Sequence, residues 1–235
     1  MIKINDEIDS SIWNSFAKGG IFYRFEWFNV IKNIYKLDPY FVLFYEDDKF
    51  ALIASFKTNK GYISLPFVSY SGFLFNDDEK LNELKEYLNK NNITLDSRDL
   101  IEIQEVNKLR YLNPILELDT IENFLSTISK KTRYQFRKSE NSNLNFSSEN
   151  SINIFYKIYA EGMRNLGTPL HGINYFKELK KYFPIEVFTI YDERVPIGSM
   201  FCLSDDNTLC VLYAYTKPEF SKIYANYFLY LSVVR

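Results

Sequence analysis

The sequence predicts an α/β protein made of two copies of one unit, each a mostly antiparallel sheet flanked by helices. Apolar stripes of helical period alternate along the chain with short β-rich runs and polar turns. Residues 39–56 (PYFVLFYEDDKFALIASF) align without a gap with 184–201 (PIEVFTIYDERVPIGSMF), pairing Pro39 with Pro184, Val42 with Val187, Leu52 with Ile197 and Phe56 with Phe201, an offset of 145 residues. At 235 residues, 46% apolar and 25% charged, the chain has room for two such units around substantial cores.

In chain order, Tyr23, Trp27, Val30, Ile31 and Ile34 recur on one helix face, predicting a helix over 23–34. Residues 39–56 are two β-rich runs about an acidic turn, followed by a third strand at 61–67 and a helix near 79–90 carrying Leu81, Leu84 and Leu88. The segment 93–118 reads as further short strands ending at Ile115 to Leu118. From Asp119 the period becomes helical, with Asp119 and Glu122 as a capping box and Ile121, Phe124, Leu125 and Ile128 as the stripe, until Asn141 to Asn145 interrupts it. Ser151 caps a second helix that Gly167 and Pro169 stop; a third spans 175–183. Strands follow near 186–191, 195–204 and 208–216. The chain then reaches Arg235 inside a helix that starts at Tyr224, so the second copy reads as lacking its C-terminal strands, with a sheet edge that a second chain could complete to form an oligomer.

Composition removes several functions. Twenty-eight basic against 30 acidic residues give a net charge of −2, which leaves no whole-chain attraction to DNA or anionic lipid and confines any anion site to a local patch. No stretch approaches the roughly 20 apolar residues of a membrane span, and the acidic start (Asp6, Glu7, Asp9) is no export signal, so a cytoplasmic protein without a transmembrane segment is expected. Two cysteines make neither a disulfide framework nor a zinc site. If 205–207 is a three-residue loop, Cys202 and Cys210 face each other as buried thiols. The single histidine, His171, excludes histidine-rich metal centres and leaves hydrolase triads one imidazole to share; no metal is expected. Neither GxGxxG nor GxxxxGK[ST] occurs.

Three constellations carry chemistry. KKTRYQFRK (130–138) holds five cations and no acid, and on a helix Lys130, Arg133 or Tyr134, and Arg137 share a face beside Lys131 and Lys138. That face is either a solvated helix end or a site for phosphate or carboxylate, where a charge-assisted bond contributes about 1.5–3 kcal/mol. The interleaved tyrosine also suits RNA, although nine residues on an acidic chain are a small nucleic-acid footprint. MRNLGTPLHGINYF (163–176) crowds Arg164, Asn165, Thr168, His171, Asn174 and Tyr175 around a helix–Gly–Pro–helix junction, read either as a capped turn or as a ligand loop beside a helix start. Tyr213 and Tyr215 share one side of the last strand, as core filler or as phenols able to donate to an oxyanion or protonate a leaving group.

Together these segments resemble the FemAB group of GNAT-like acyltransferases: the aminoacyl ligases of peptidoglycan cross-bridges and the FemAB-related proteins of exopolysaccharide and protein-sorting gene clusters. The resemblance runs through WFNVI (27–31), PYFVLFY (39–45), SLPFVSYSG (64–72), KTRYQFRK (131–138) and, most specifically, MRNLGTPLH (163–171) with its following aromatic pair. It implies two GNAT-like units, 1–115 and 116–235, and acyl or aminoacyl transfer to an amine of a phosphate-bearing cell-envelope precursor, peptidoglycan or exopolysaccharide, at the inner face of the membrane. The implied donor is aminoacyl-tRNA or acyl-CoA. The alternatives are an acyl-CoA-dependent sugar N-acyltransferase and a non-catalytic precursor-binding module.

The substrate-binding candidates are Lys131, Arg133, Arg137, Arg164, Thr168, His171, Tyr175 and Asn226, and the catalytic candidates are Tyr213 and Tyr215. By resemblance, His171 and Tyr175 fall where the ligases carry an Arg and a Tyr that grip a diphosphate, and an imidazole there grips less well than a guanidinium. Two further departures are Ile31, beside Lys32, where the ligases have a phosphate-binding lysine, and a Phe-Lys motif that would fall beyond Arg235. The donor region would be Tyr213 to Asn226, where no Gly-rich pyrophosphate loop occurs.

Overall fold

A computed structural model describes residues 1–18, 20–97, 115–205 and 208–235. The chain divides into two compact units, Met1–Pro114 and Ile115–Arg235.

In the first unit, β1 (Ile2–Ile4) leads to α1 (Ser10–Phe16), whose N-terminus is capped by the Asp9 carboxylate accepting the Ile12 N–H at 2.8 Å. The predicted stripe forms α2 (Phe25–Tyr35), burying Trp27, Phe28, Val30 and Ile31 and ending at Lys36 in the left-handed region. Next come β2 (Pro39–Glu46), β3 (Lys49–Thr58), β4 (Gly61–Ser64), β5 (Leu74–Phe75), α3 (Asp78–Lys90) and β6 (Leu95–Asp96). The sheet runs β1-β2-β3-β4-β6, with β5 paired to β3 and β6 parallel to β4. One face meets α1 and α2 through Phe41 and Phe56 against Trp13 and Phe28; the other, with Val42, Ala51 and Ile53, takes Leu81, Leu84 and Leu88 of α3. Buried Lys80 ties α3 to the hairpin through Glu46 at 2.9 Å and also pairs with Glu83 of its own helix at 2.9 Å.

The second unit opens with α4 (Ile121–Thr127) and α5 (Lys130–Glu140), then β7 (Leu144–Ser147), α6 (Ile152–Leu166) and α7 (Ile173–Tyr182). It continues with β8 (Ile185–Asp192), β9 (Val195–Asp205), β10 (Thr208–Thr216) and α8 (Ala225–Val234). Its antiparallel sheet is ordered β10-β9-β8-β7. One face, with Ile190, Met200 and Cys202, packs on Ala225 and Leu229 of α8. The opposite face packs Phe201 on Phe155 of α6 and Phe176 of α7. Both units thus share one order: a strand, two helices, a hairpin, a third strand and a helix. No helix among the described residues is long and apolar enough to cross a membrane.

Several expectations are corrected. Ile115 to Leu118 form no strand; Ile115 is 82% exposed and the run, unpaired with any strand among the described residues, leads straight into the α4 cap. Of the remainder of 93–118, β6 is one short strand and residues 98–114 lie outside those described. The α4 cap is Thr120, whose hydroxyl accepts the Asn123 N–H at 3.1 Å, while Asp119 instead accepts from the Asn123 side chain. The helical run also breaks at Ile128, which turns extended so that Ser129 can cap a separate α5. The stretch expected only to interrupt helix contains the start of β7.

The repeat is out of step by one residue at the turn: Glu46 pairs with Lys49, but Asp192 pairs with Val195, and a bulge between Ile190 and Tyr191 absorbs a further residue. The cysteines do not face each other. Cys202 stands opposite Val211 and Cys210 opposite Leu203, because the ladder closes at Asp205 and Thr208 and shifts the register by one. Burial pushes the Cys202 thiol up to about 12, so it is an inert core group.

Candidate substrate-binding and transfer site

The second unit holds all the candidate residues, and its sheet sorts them into two groups. α5 joins the layer of α8: Phe136 packs edge-on against Tyr227 at 5.4 Å, Lys138 sits 5.4 Å over the Tyr224 ring, and Arg235 pairs with Glu140. The exposed face of α5 carries Lys130, Arg133, Tyr134 and Arg137, which line an open concavity of about 290 Å³. The helical spacing read from the sequence places these four side chains together. Arg133 is braced, its Nη2 donating to the Ile128 carbonyl at 3.1 Å and its buried Nε having no partner among the described residues. Lys131 is exposed beside this face, and Asn226 is exposed in the first turn of α8.

No carboxylate pairs with Lys130, Lys131, Arg133, Arg137 or Lys138 among the described residues. Arg137 and Lys138 suit the negative end of the helix, but Lys130 and Lys131 occupy its first turn, where the dipole disfavours each cation by about 0.3–1 kcal/mol. Such a face gains from any anion that approaches it.

The other group lies on the α6 and α7 side. Gly167, at φ 65°, ends α6 and lets the Thr168 N–H reach the Met163 carbonyl at 3.0 Å, which turns Thr168 to His171 back over α6. Tyr159 fixes that loop by accepting the His171 backbone N–H at 3.1 Å. The His171 ring stacks on Tyr175 at 4.4 Å and meets Tyr213 at 5.7 Å. Burial holds its pKa below the ordinary value, so the imidazole is neutral near pH 7 and acts as a hydrogen-bonding group rather than a cation. Tyr175 is fully buried, with its ring stacked on His171. Arg164 and Thr168 are exposed at the rim of this junction.

The two tyrosines of β10 do face one side, towards α6, but in different states. The Tyr213 phenol oxygen is buried among Tyr159, His171 and Phe176. Tyr215 is partly exposed, and its oxygen accepts from Asn165 Nδ2 at 3.0 Å, which leaves the phenol proton for another acceptor. Its ring lies directly on Gly162, where an added Cβ would be 2.5 Å from it. Of the two, Tyr215 has the better placed donor.

No protein-family model matches the sequence, and no curated protein does. Among solved structures, the crystal structure of FemX superimposes with a TM-score of 0.67, covering 97% of this chain and 84% of that chain at 11% identity. The fold is FemAB-like. The likeness is one of fold, two sheets flanked by helices, and leaves chemistry to the residues present.

Within this FemAB-like fold, sequence reasoning brought together Lys130, Arg133, Tyr134 and Arg137, and separately His171 and Tyr175, but it did not join Tyr213 to His171 and did not place the groups on opposite faces of the sheet. It also missed Gly162 and the Tyr159 hydroxyl. A glycine inside a helix costs about 1 kcal/mol against alanine, and that mismatch was the available sign of a close approach at Gly162. Among the described residues no group of three His, Cys, Asp or Glu side chains could hold a metal.

Proposed function

We propose that the protein transfers an aminoacyl or acyl group to an amine of a phosphate-bearing peptidoglycan or exopolysaccharide precursor. The observation that carries this reading is Tyr215, whose oxygen accepts from Asn165 and whose ring lies on Gly162, so that its O–H is not used in that bond, on the same side of β10 as His171. The FemAB-like fold supports it, as does the sequence resemblance at 163–171.

In this reading the acceptor amine forms a bond to the donor carbonyl carbon, the carbonyl oxygen takes up negative charge, and the bond to the donor oxygen or sulfur then breaks as the carbonyl reforms. Tyr215 donates its hydrogen bond to that oxygen. The proton lost by the amine passes to water or to a substrate phosphate, and the leaving oxygen or sulfur takes one up from the same source. Arg164, Thr168 and His171 hold the precursor near its phosphates. His171 does so as a neutral donor, and Tyr175 and Tyr213 fix its ring. The donor we favour is aminoacyl-tRNA.

Mass spectrometry tests the reaction. Incubated with aminoacyl-tRNA and a uridine-diphosphate-linked muramoyl peptide, the protein should add one aminoacyl residue to the peptide amine, and Tyr215→Phe should slow this by about 100- to 1000-fold. Product formed only from acyl-CoA would replace this reading with a sugar N-acyltransferase. Precursor binding without product from either donor would make the protein a binding module.

A further inference from the structure

Beside the phenol assigned to the carbonyl oxygen stands an ion pair that the transfer chemistry leaves unused. The end of β10 reaches α6 twice. Tyr215 lies on Gly162 and accepts from Asn165 Nδ2 at 3.0 Å, and Lys217, two residues further on, holds its Nζ 3.2 Å from Glu161 Oε2. We propose that the Glu161 carboxylate docks the acceptor amine, as its ammonium, next to Tyr215. This role deepens the transferase reading and rests on it for the reaction that the docked amine undergoes.

Placement on α6 supports it first. Glu161 and Asn165 stand at i and i+4 on one helix face, with Cβ atoms about 5–6 Å apart. In the transfer, the attacking nitrogen and the oxygen that takes up charge are attached to one carbon. With one hydrogen bond to each, the group that receives the amine and the donor to the oxygen must stand within roughly 8 Å of each other. One helical turn, about 5.4 Å, falls inside that span.

Charge supports it next. Lys217 alone would repel an incoming ammonium, but Glu161 neutralises it and is the outer member of the pair, its side chain 41% exposed against 20% for Lys217. The pair engages Oε2, and the carboxylate has no other partner among the described residues, so Oε1 is open to a second cation. Lys217 is itself fixed, its N–H donating to the Ile197 carbonyl at 2.9 Å just before Pro218, so the carboxylate is aimed before any ligand arrives. An ammonium gains a charge-assisted bond there that a hydroxyl acceptor does not, which selects amines. Once the amine has given up its proton, the pair is neutral again and does not oppose the negative charge forming at Tyr215.

Calorimetric titration of the full chain with two peptides tests this. One is a uridine-diphosphate-linked muramoyl peptide bearing a lysine amine, and the other carries norleucine in place of that lysine. The wild type should bind the lysine peptide about ten- to hundredfold more tightly. Glu161→Gln should bring the two affinities together and leave the norleucine peptide bound as before. Lys217→Met breaks the same ion pair but keeps the carboxylate, and should retain the preference for the amine. Glu86→Gln, which breaks an exposed pair with Lys90 on α3, is the control expected to match the wild type.

A preference lost alike in Glu161→Gln and Lys217→Met would make the pair a structural brace and overturn the proposal. So would a preference that survives Glu161→Gln, or none in the wild type. The two readings fail separately. Amine preference through Glu161 without transfer product from any donor sinks the transferase reading alone, and transfer with the preference intact in Glu161→Gln sinks this inference alone.

Discussion

Phe176→Ala is expected to destabilise the second unit by about 3–5 kcal/mol, the range for removing a fully buried aromatic ring. Phe176 is the hub of the α6–α7 face. Its ring meets Phe155, Tyr156, Tyr159, Tyr175, Phe201 and Tyr213 at centroid distances of 5.0–6.1 Å, and it is wholly buried. All six are edge-to-face arrangements, which add to the area term and leave little room to collapse. Native-state hydrogen exchange of the β9 amides reads the opening of this unit without requiring the whole chain to unfold in one step. Protection lost by only a few tenths of a kcal/mol would mean that the cluster is looser than these distances indicate.

Gly162→Ala should act in the opposite sense to helix propensity. In an exposed helix the exchange would stabilise by about 1 kcal/mol. Here the new Cβ would lie 2.5 Å from the Tyr215 ring, so the ring or the helix must shift, at about 1–3 kcal/mol for overpacking. The shift also takes the Tyr215 oxygen away from Asn165, so the transfer rate should fall towards that of Tyr215→Phe. The double variant Gly162→Ala/Tyr215→Ala should regain stability but not activity, because it restores space and removes the donor. A single Gly162→Ala variant more stable than the wild type would show that the close approach is absent in solution.

Much of the fold was legible in the sequence because its elements are locally consistent. The stripe at Trp27, Val30 and Ile31, the cap at Ser151, the stop at Gly167 and the three strands after Pro184 all lie where period and capping chemistry place them. What was not legible is what depends on partners distant in sequence. β7 is short, and its Leu144 is buried only because α8 covers it, so in sequence it resembles a polar interruption. Ile128 reads as one more position of a helical stripe, yet Ser129 makes a better cap than a helix interior. The hairpin repeat was visible, but its bulge was not, because an extra residue at Ile190 and Tyr191 changes no local pattern.

For the candidate site, the helix period correctly grouped Lys130, Arg133, Tyr134 and Arg137, and the Gly–Pro junction correctly brought His171 and Tyr175 to one place. Period shows which residues share a face of one helix. It does not show which side of a sheet that helix occupies, so both groups read alike as substrate-binding in sequence and stand on opposite faces of the sheet in the fold.

That separation is the centre of the account, and calorimetric titration of the uridine-diphosphate-linked muramoyl peptide into three proteins tests it most directly. His171→Ala should bind the peptide at least tenfold more weakly than the wild type, while Lys130→Ala/Arg137→Ala should bind it as the wild type does. Loss of precursor binding in the α5 variant, with His171→Ala unaffected, would place the precursor on the wrong side of the sheet for Tyr215 and contradict the account.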